Sequence, residues 1–237
     1  MNNHTEYIIS ALNKIADINK SAWWNNYLRN EIEFIGVGMP DNRNIILNWH
    51  KKKHLAVSEC IDVCHELMSQ DIAEYKLAAI LLYQYVIQTK ITNADLIKNI
   101  NDYFEKGYIF DWNTCDWFCV RLITPIIETG NKDEINTILN WYQKENYWQA
   151  RAALVPFAQC KNLKNFLPDL IYPMNNLIRL PQRFAKTSVG WLLRQISKFD
   201  KNYVLEFLEN NRSYLTKEVI NNALKYSDKT EREQYYD

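Results

Sequence analysis

The stretch EYKLAAILLY, residues 74–83, has a pattern that returns twice further along the chain. YWQARAALVPF at 147–157 and KTSVGWLLRQIS at 186–197 also place a charged residue beside a run rich in Leu, Ala or Val. We interpret all three as second helices of helix pairs, and each pair spans roughly 35–40 residues, the period of HEAT-like arrays. Stacked pairs of this kind form a curved α-solenoid whose concave surface suits an extended partner.

A shortage of turn residues extends the helical interpretation to the whole chain. Its 237 residues include only 5 Gly and 6 Pro. That is too few for the Gly-dependent turns of Rossmann domains and phosphate loops, or for the many turns of β-sandwiches. FIGVGMPDNR at 34–43 holds two of the Gly and one Pro, so it is predicted as a loop. No long linker interrupts the pattern, and the sequence predicts a single all-α domain over residues 1–237.

Apolar residues recur at helical spacing in thirteen segments. The predicted helices cover residues 5–18, 21–32, 43–52, 57–69, 72–88, 93–105, 112–128, 133–143, 147–159, 163–174, 182–198, 202–210 and 216–226. Four of them have a side chain suited to capping at the start: Asp71, Thr92, Asp200 and Thr216.

Hydropathy and cysteine usage favour a cytoplasmic protein. No apolar run reaches the ~18 residues of a membrane helix, and the N-terminal MNNHTEY lacks the basic start and apolar stretch of a signal peptide. The five Cys include no CxxC spacing and are typical of small core residues in a reducing compartment. We therefore expect a cytoplasmic protein with no metal, no cofactor and no membrane partner, and a monomer as the default.

The charge of the chain is balanced in sum but uneven in distribution. There are 28 basic and 28 acidic residues, yet residues 146–199 hold eight basic residues and one acidic residue. A localised basic patch is typical of a surface that binds a phosphate backbone. A solvated helical face remains the alternative. We expect the patch to line the concave surface, so that the solenoid has a positively charged groove.

Five residues stand out because their chemistry differs from that of the surrounding helix. Trp112 and Asp116 are i,i+4 neighbours and share a helix face, and a carboxylate there must pair, reach water or serve a purpose. Arg151 lies inside an apolar run, and Trp191 and Arg194 are spaced i,i+3. A basic residue inside an apolar helix is unusual unless it faces a partner or a groove.

The same residues also have structural interpretations. Trp112 and Trp191 can be ordinary core aromatics, and Asp116 and Arg151 can form a structural ion pair. The remaining tryptophans are predicted to pack in the core or between helices: Trp23, Trp24, Trp49, Trp117, Trp141 and Trp148.

An ordered set of motifs resembles the bacterial DNA alkylation repair glycosylases of the AlkD type, which are HEAT-like solenoids. The motifs occur in family order and span most of the chain. They are YLRNEIEFIGVGMP at 27–40, EYKLAAI at 74–80, WNTCD at 112–116, WQARAAL at 148–154 and VGWLLRQIS at 189–197. The resemblance implies an enzyme that removes positively charged N3- and N7-alkylated purines, such as 7-methylguanine and 3-methyladenine, from double-stranded DNA.

The resemblance also implies roles for individual residues. Asp116 would stabilise the positive charge that develops on the sugar and orient or deprotonate the attacking water. Trp112 and Trp191 would flank the deoxyribose, and Arg151 would hold a phosphate next to it. The other expected substrate and DNA contacts are Tyr27, Arg43, Lys76, Arg183, Lys186 and Arg194.

Three functions remain open from the sequence. The first is a monofunctional DNA glycosylase, which the retained carboxylate and the ordered motifs favour. The second is a non-catalytic glycosylase-like protein that binds DNA without cutting it. The third is a protein–protein scaffold, the commonest use of a helical solenoid.

Overall fold

In the computed structural model, which describes residues 1–236, the regular secondary structure is helical throughout. The only bridge between extended residues in this range pairs Glu33 with Ile72. The prediction of an all-α chain is therefore confirmed. Among the described residues, no helix has both the length and the apolar character needed to cross a bilayer.

Fifteen α-helices occur in the described range. They are α1 Asn3–Asn13, α2 Ile18–Tyr27, α3 Met39–Lys53, α4 Val57–Met68, α5 Ala73–Leu82, α6 Asn93–Glu105, α7 Trp112–Phe118, α8 Thr124–Thr129, α9 Lys132–Leu139, α10 Tyr147–Ala152, α11 Leu167–Leu177, α12 Arg183–Ile196, α13 Lys201–Asn210, α14 Lys217–Ala223 and α15 Lys229–Glu233. Short π-helical turns extend α5 and α7 over Tyr83–Ile87 and Cys119–Ile123. The 3₁₀ turns are Asn140–Gln143, Val155–Gln159, Leu163–Phe166 and Arg212–Tyr214.

Side-chain caps mark many of the helix starts. The predicted caps Thr92, Asp200 and Thr216 each accept a backbone N–H of the first turn. The predicted cap Asp71 is wrong, because α5 begins one residue later and Ile72 occupies its N-cap position.

Boundaries around the first loop differ from those expected. The segment 34–43 is not all loop, because α3 begins at Met39 with Pro40 in its first turn, a position where the missing N–H of proline costs nothing. The helix expected over 21–32 ends at Tyr27, because Arg29 and Asn30 adopt left-handed backbone conformations with φ of 55° and 58°.

The chain divides into two compact units, Met1–Leu122 and a second that starts at Ile123. The first unit is built around α5, which packs against α1, α3, α4 and α7. All ten residues of α5 are buried, including two charged ones. The expectation of a single domain stays a prediction.

The second unit is built around α12, which packs against α10, α11, α13 and α14. Gly190 allows α14 to approach α12 closely, because a Cβ at this position would lie 3.2 Å from the Cα of Val219 in α14. The backbone of α12 at Gly190 therefore packs directly against the backbone of α14.

Burial confirms the predicted roles of several side chains and corrects two. All five Cys are buried, as expected of small core residues. Trp49, Trp141 and Trp148 are also buried. Trp23 and Trp24 were expected in packing positions, but 58% and 36% of their surface is exposed, although the Trp24 ring still stacks on buried Phe34. The reason is that every residue of α2 is exposed or only half-buried.

Candidate functional site

Glu74 fixes the loop that connects α2 to α3. Its carboxylate is 1% exposed and accepts three consecutive backbone N–H groups, from Ile35 at 3.0 Å, Gly36 at 2.8 Å and Val37 at 3.0 Å. A buried carboxylate is stable when charge-assisted hydrogen bonds of this kind replace its hydration. The buried acid of α5 thus holds a loop that is distant in sequence.

The same loop holds α2. Ser21 donates its hydroxyl to the Phe34 carbonyl at 2.6 Å, and the Phe34 N–H donates to the side chain of Asn25 at 2.8 Å. Gly36 has φ of +87°, and a Cβ there would collide with the carbonyl oxygen of Asp17. Loop and helix are therefore joined by hydrogen bonds and by close backbone approach.

Lys76 is a buried cation behind the start of α7. It is 1% exposed, and its ammonium donates to the carbonyls of Met68 at 2.6 Å and Tyr108 at 2.8 Å. Burial lowers the pKa of this ammonium to about 8. The expected direct contact of Lys76 with DNA does not suit this placement, because the ammonium is turned into the protein and has no exposed surface for a phosphate.

Asp111 caps α7, the helix that carries two of the predicted catalytic residues. Its buried carboxylate accepts the Thr114 N–H at 2.8 Å. Burial raises the pKa of the Asp111 carboxyl, and the positive charge of Lys76 opposes that rise. The Asp111 cap therefore defines where α7 begins, and the charge of Lys76 favours the ionised form of that cap.

Trp112 and Asp116 lie one helical turn apart on α7, and both are half-buried. The Trp112 ring packs edge-to-face on Tyr27, with ring centroids 5.9 Å apart and an interplanar angle of 68°. It also packs against an apolar cluster that includes Phe34 and Ala73. The first unit therefore brings Tyr27 and Trp112 into contact, with the carboxylate of Asp116 one turn further along the helix.

Arg151 lies on α10 in the second unit and is 4% exposed. Its guanidinium donates to the Phe184 carbonyl at 2.7 Å and to the Thr187 hydroxyl at 3.2 Å. These bonds tie α10 to the first turns of α12.

Trp191 and Arg194 lie on α12, and both are half-buried. The guanidinium carbon of Arg194 lies 5.9 Å from the centre of the Trp191 ring. Within the part of the chain that the structure describes, neither Nε1 of Trp191 nor Nε of Arg194 donates a hydrogen bond. Buried donors of this kind are uncommon in folded proteins.

The other expected DNA contacts have different surroundings. Arg183 donates two hydrogen bonds to the carboxylate of Glu218, at 2.7 and 2.8 Å. Lys186 donates to the Tyr214 carbonyl at 2.5 Å, and burial lowers the pKa of its ammonium. Arg43 is exposed on α3.

Sequence reasoning missed the supporting residues Glu74 and Asp111. Asp111 directly precedes the predicted helix that starts at Trp112, so its position signalled a cap. Nothing adjacent to Glu74 in sequence signalled its role, because its partners lie in a loop 37–39 residues earlier in the chain.

Comparison with known proteins identifies a family and a solved structure that are similar to this chain. The sequence profile of a family described as DNA alkylation repair enzyme matches residues 8–227. A solved structure described as a predicted DNA alkylation repair enzyme from Enterococcus faecalis is similar, with a TM-score of 0.67 and 20% identity. The match covers 90% of this chain and 97% of that chain, and at this identity it shows a shared fold alone. No curated protein matches the chain at a significant level.

Proposed function

The chain belongs to the family of DNA alkylation repair enzymes, and we propose that it is a DNA glycosylase for alkylated purines. Its substrates are positively charged N3- and N7-alkylated purines in double-stranded DNA, such as 3-methyladenine and 7-methylguanine. The reaction breaks the bond between the purine and C1′ of the deoxyribose, and the bonding electrons neutralise the cationic base. Water adds to C1′ and loses a proton, leaving an abasic site.

The observation that carries this proposal is the pairing of Asp116 with Trp112 on α7. The helix start is fixed by the buried Asp111 cap, and the Asp116 carboxylate is half-buried one turn from the indole. Bond cleavage builds positive charge on the sugar, which a carboxylate at low dielectric stabilises strongly. Asp116 also accepts the proton of the attacking water in this proposal, the role that carboxylates have in glycosidases.

The tryptophans contribute through their ring faces. An aromatic face attracts a developing cation by ~0.5–2 kcal/mol, depending on how far water is excluded. We assign this role to Trp112 in the first unit, where Tyr27 supports its ring. We assign it also to Trp191 in the second unit, which is half-buried on α12.

Basic side chains supply the phosphate contacts, which set position and not base identity. The contacts are assigned to the exposed or half-buried residues Tyr27, Arg43, Arg183, Lys186 and Arg194. Arg151 is 4% exposed and its guanidinium is bonded to the start of α12, so it is reassigned from a direct phosphate contact to support of α12. Lys76 is reassigned from DNA contact to support of α7, because its ammonium is buried between two carbonyls.

The test is incubation of the protein with duplex DNA that contains 7-methylguanine, followed by chromatographic measurement of the free base. We expect release of the methylated base well above the spontaneous rate, and intact unmodified purines. A duplex that is bound but releases no base would overturn the glycosylase proposal and favour a non-catalytic DNA-binding protein. No binding at low salt would favour a protein–protein scaffold.

A further inference from the structure

The surface of α2 carries three aromatic side chains that face outward. Trp23, Trp24 and Tyr27 are 58%, 36% and 56% exposed. Apolar side chains of this size seldom cluster on a protein surface without a partner. Since every residue of α2 is exposed or half-buried, these rings contribute little to the core of the unit.

The geometry of the rings is that of a stacking surface. Trp23 and Tyr27 are parallel, with an interplanar angle of 4° and ring centroids 5.3 Å apart. Tyr27 in turn meets Trp112 edge-to-face at 5.9 Å. We name Trp23, Tyr27 and Trp112 the aromatic ladder, which runs from the exposed end of α2 to the helix of Asp116.

Trp24 anchors the ladder to the protein. Its ring is stacked on Phe34 at 5.6 Å with an interplanar angle of 18°, and it meets both Trp23 and Tyr27 edge-on. Phe34 belongs to the apolar cluster of the first unit. The outer rings therefore contact the apolar cluster through Trp24, although they are exposed.

Exposed basic side chains lie near both ends of α2, although Asp17, Glu31 and Glu33 flank the helix as well. The sequence of α2, INKSAWWNNY, contains no acidic residue. Asp17, which precedes the helix, accepts N–H groups of its first turn and pairs with Lys20 at 3.6 Å. Lys20 and Arg29 are exposed near the two ends of the helix. Aromatic faces combined with basic side chains are the features that bind single-stranded nucleic acid.

We propose that the aromatic ladder is a stacking site for an unpaired nucleobase of DNA. In an intact duplex both faces of each base are covered by neighbouring bases, so only an unpaired or unstacked base can place its face on Trp23. The proposal rests on the proposed function for its DNA partner. It adds a preference for DNA with unpaired bases, which alkylpurine excision does not itself require.

The experiment measures binding of two fluorescently labelled DNAs of equal length by anisotropy. One is a fully paired duplex, and the other contains a gap of three unpaired nucleotides. The variants are Trp23→Ala, Trp23→Phe, which keeps a ring, and Tyr172→Ala, which removes a 73% exposed aromatic ring from α11. Trp23 is 58% exposed on a helix that has no buried residues in the described range, so we expect its replacement to leave folding intact.

We expect the wild type to bind the gapped DNA more tightly than the paired duplex. Trp23→Ala should lower the affinity for the gapped DNA about tenfold, the effect of losing one base–aromatic stack, and leave the paired duplex nearly unchanged. Trp23→Phe should retain most of the preference, and Tyr172→Ala all of it. An unchanged preference in Trp23→Ala, or an equal loss in Tyr172→Ala, would overturn the proposal.

Base release distinguishes the failure of this proposal from that of the glycosylase proposal. If the wild type releases no 7-methylguanine but prefers gapped DNA, and Trp23→Ala lacks this preference, the stacking site is supported and the glycosylase proposal is overturned. If the wild type releases the base and binds both DNAs equally, the glycosylase proposal is supported and the stacking site is overturned. A ladder that binds another protein would show no preference between the DNAs.

Discussion

Lys76 and Asp111 are two buried residues of opposite charge behind the start of α7. The family resemblance implied a contact between Lys76 and DNA, and because lysine is rarely fully buried, the sequence could not show that the ammonium turns inward. In the structure it joins the ends of two segments through the carbonyls of Met68 and Tyr108. Its role is to support the helix that carries Asp116, and no contact with substrate is needed for that.

The lowered pKa of Lys76 predicts a pH dependence of stability. The ammonium titrates at about 8 in the folded protein and near 10.5 when unfolded. Between these values the unfolded state binds more protons, so the Lys76 contribution to the free energy of unfolding rises with pH and is lost as pH falls through about 8. The free energy of unfolding, measured in urea, should rise in the wild type relative to Lys76→Met by about 1–2 kcal/mol from pH 7.5 to pH 9.5.

The matched control is Lys98→Met, which removes an exposed lysine of α6. The difference in the free energy of unfolding between Lys98→Met and the wild type should stay constant over the same pH range. A constant difference for Lys76→Met as well would show that its ammonium titrates in the folded state as it does in water.

Helix α2 is held by hydrogen bonds to a loop more than by burial. The loop depends on the three N–H groups that Glu74 accepts from Ile35, Gly36 and Val37. Elements with few buried contacts open at low free energy and exchange their amide hydrogens quickly. We therefore expect slow exchange in α5 and fast exchange in α2.

Glu74→Gln should loosen the loop between α2 and α3. The amide group of glutamine replaces one carboxylate oxygen with a donor, which leaves at least one N–H of residues 35–37 without an acceptor. Loss of a charge-assisted bond costs about 1.5–3 kcal/mol, so amide exchange at these three residues should speed up by at least about tenfold. Hydrogen exchange followed by mass spectrometry measures it, with α12 as the internal reference. Unchanged protection of residues 35–37 would contradict the assigned role of Glu74.

Helices with strong local signals were predicted well from the sequence. The predicted bounds of α6, 93–105, agree with the structure, because Thr92 caps a strongly amphipathic segment. The start of α3 was missed, because Gly38 and Pro40 indicate a loop as readily as the first turn of a helix. The exposure of α2 was missed too, since a sequence rich in Trp and Tyr resembles a core helix.

For the site, the sequence placed Trp112 with Asp116 and Trp191 with Arg194, because each pair lies within one turn of a single helix. It could not place Tyr27 against Trp112, which depends on the packing of helices distant in sequence.

Charge differs between the two compact units of the molecule. Residues 1–122 hold 12 basic and 15 acidic residues, and residues 123–237 hold 16 and 13. The basic excess lies in residues 146–199, so phosphate contacts should concentrate there. The salt dependence of DNA binding measures how many phosphates are neutralised.

Removing two cations from this segment should flatten the salt dependence. For Lys164→Gln combined with Lys198→Gln, both exposed, we expect the slope of log K against log salt concentration to fall by up to about 2. Lys51→Gln combined with Lys52→Gln, at the exposed end of α3, removes the same charge from the first unit and should change the slope less. An equal change in the two double variants would contradict a localised phosphate-binding surface.

The central claim is that Asp116 is the carboxylate of a DNA glycosylase, and single-turnover release of 7-methylguanine from duplex DNA tests it most directly. Asp116→Asn keeps the size of the side chain and removes its charge, so the rate should fall at least about 100-fold. The control Asp62→Asn makes the same change at an exposed position of α4 and should keep the wild-type rate. Release by Asp116→Asn at the wild-type rate, with folding and DNA affinity preserved, would contradict the claim.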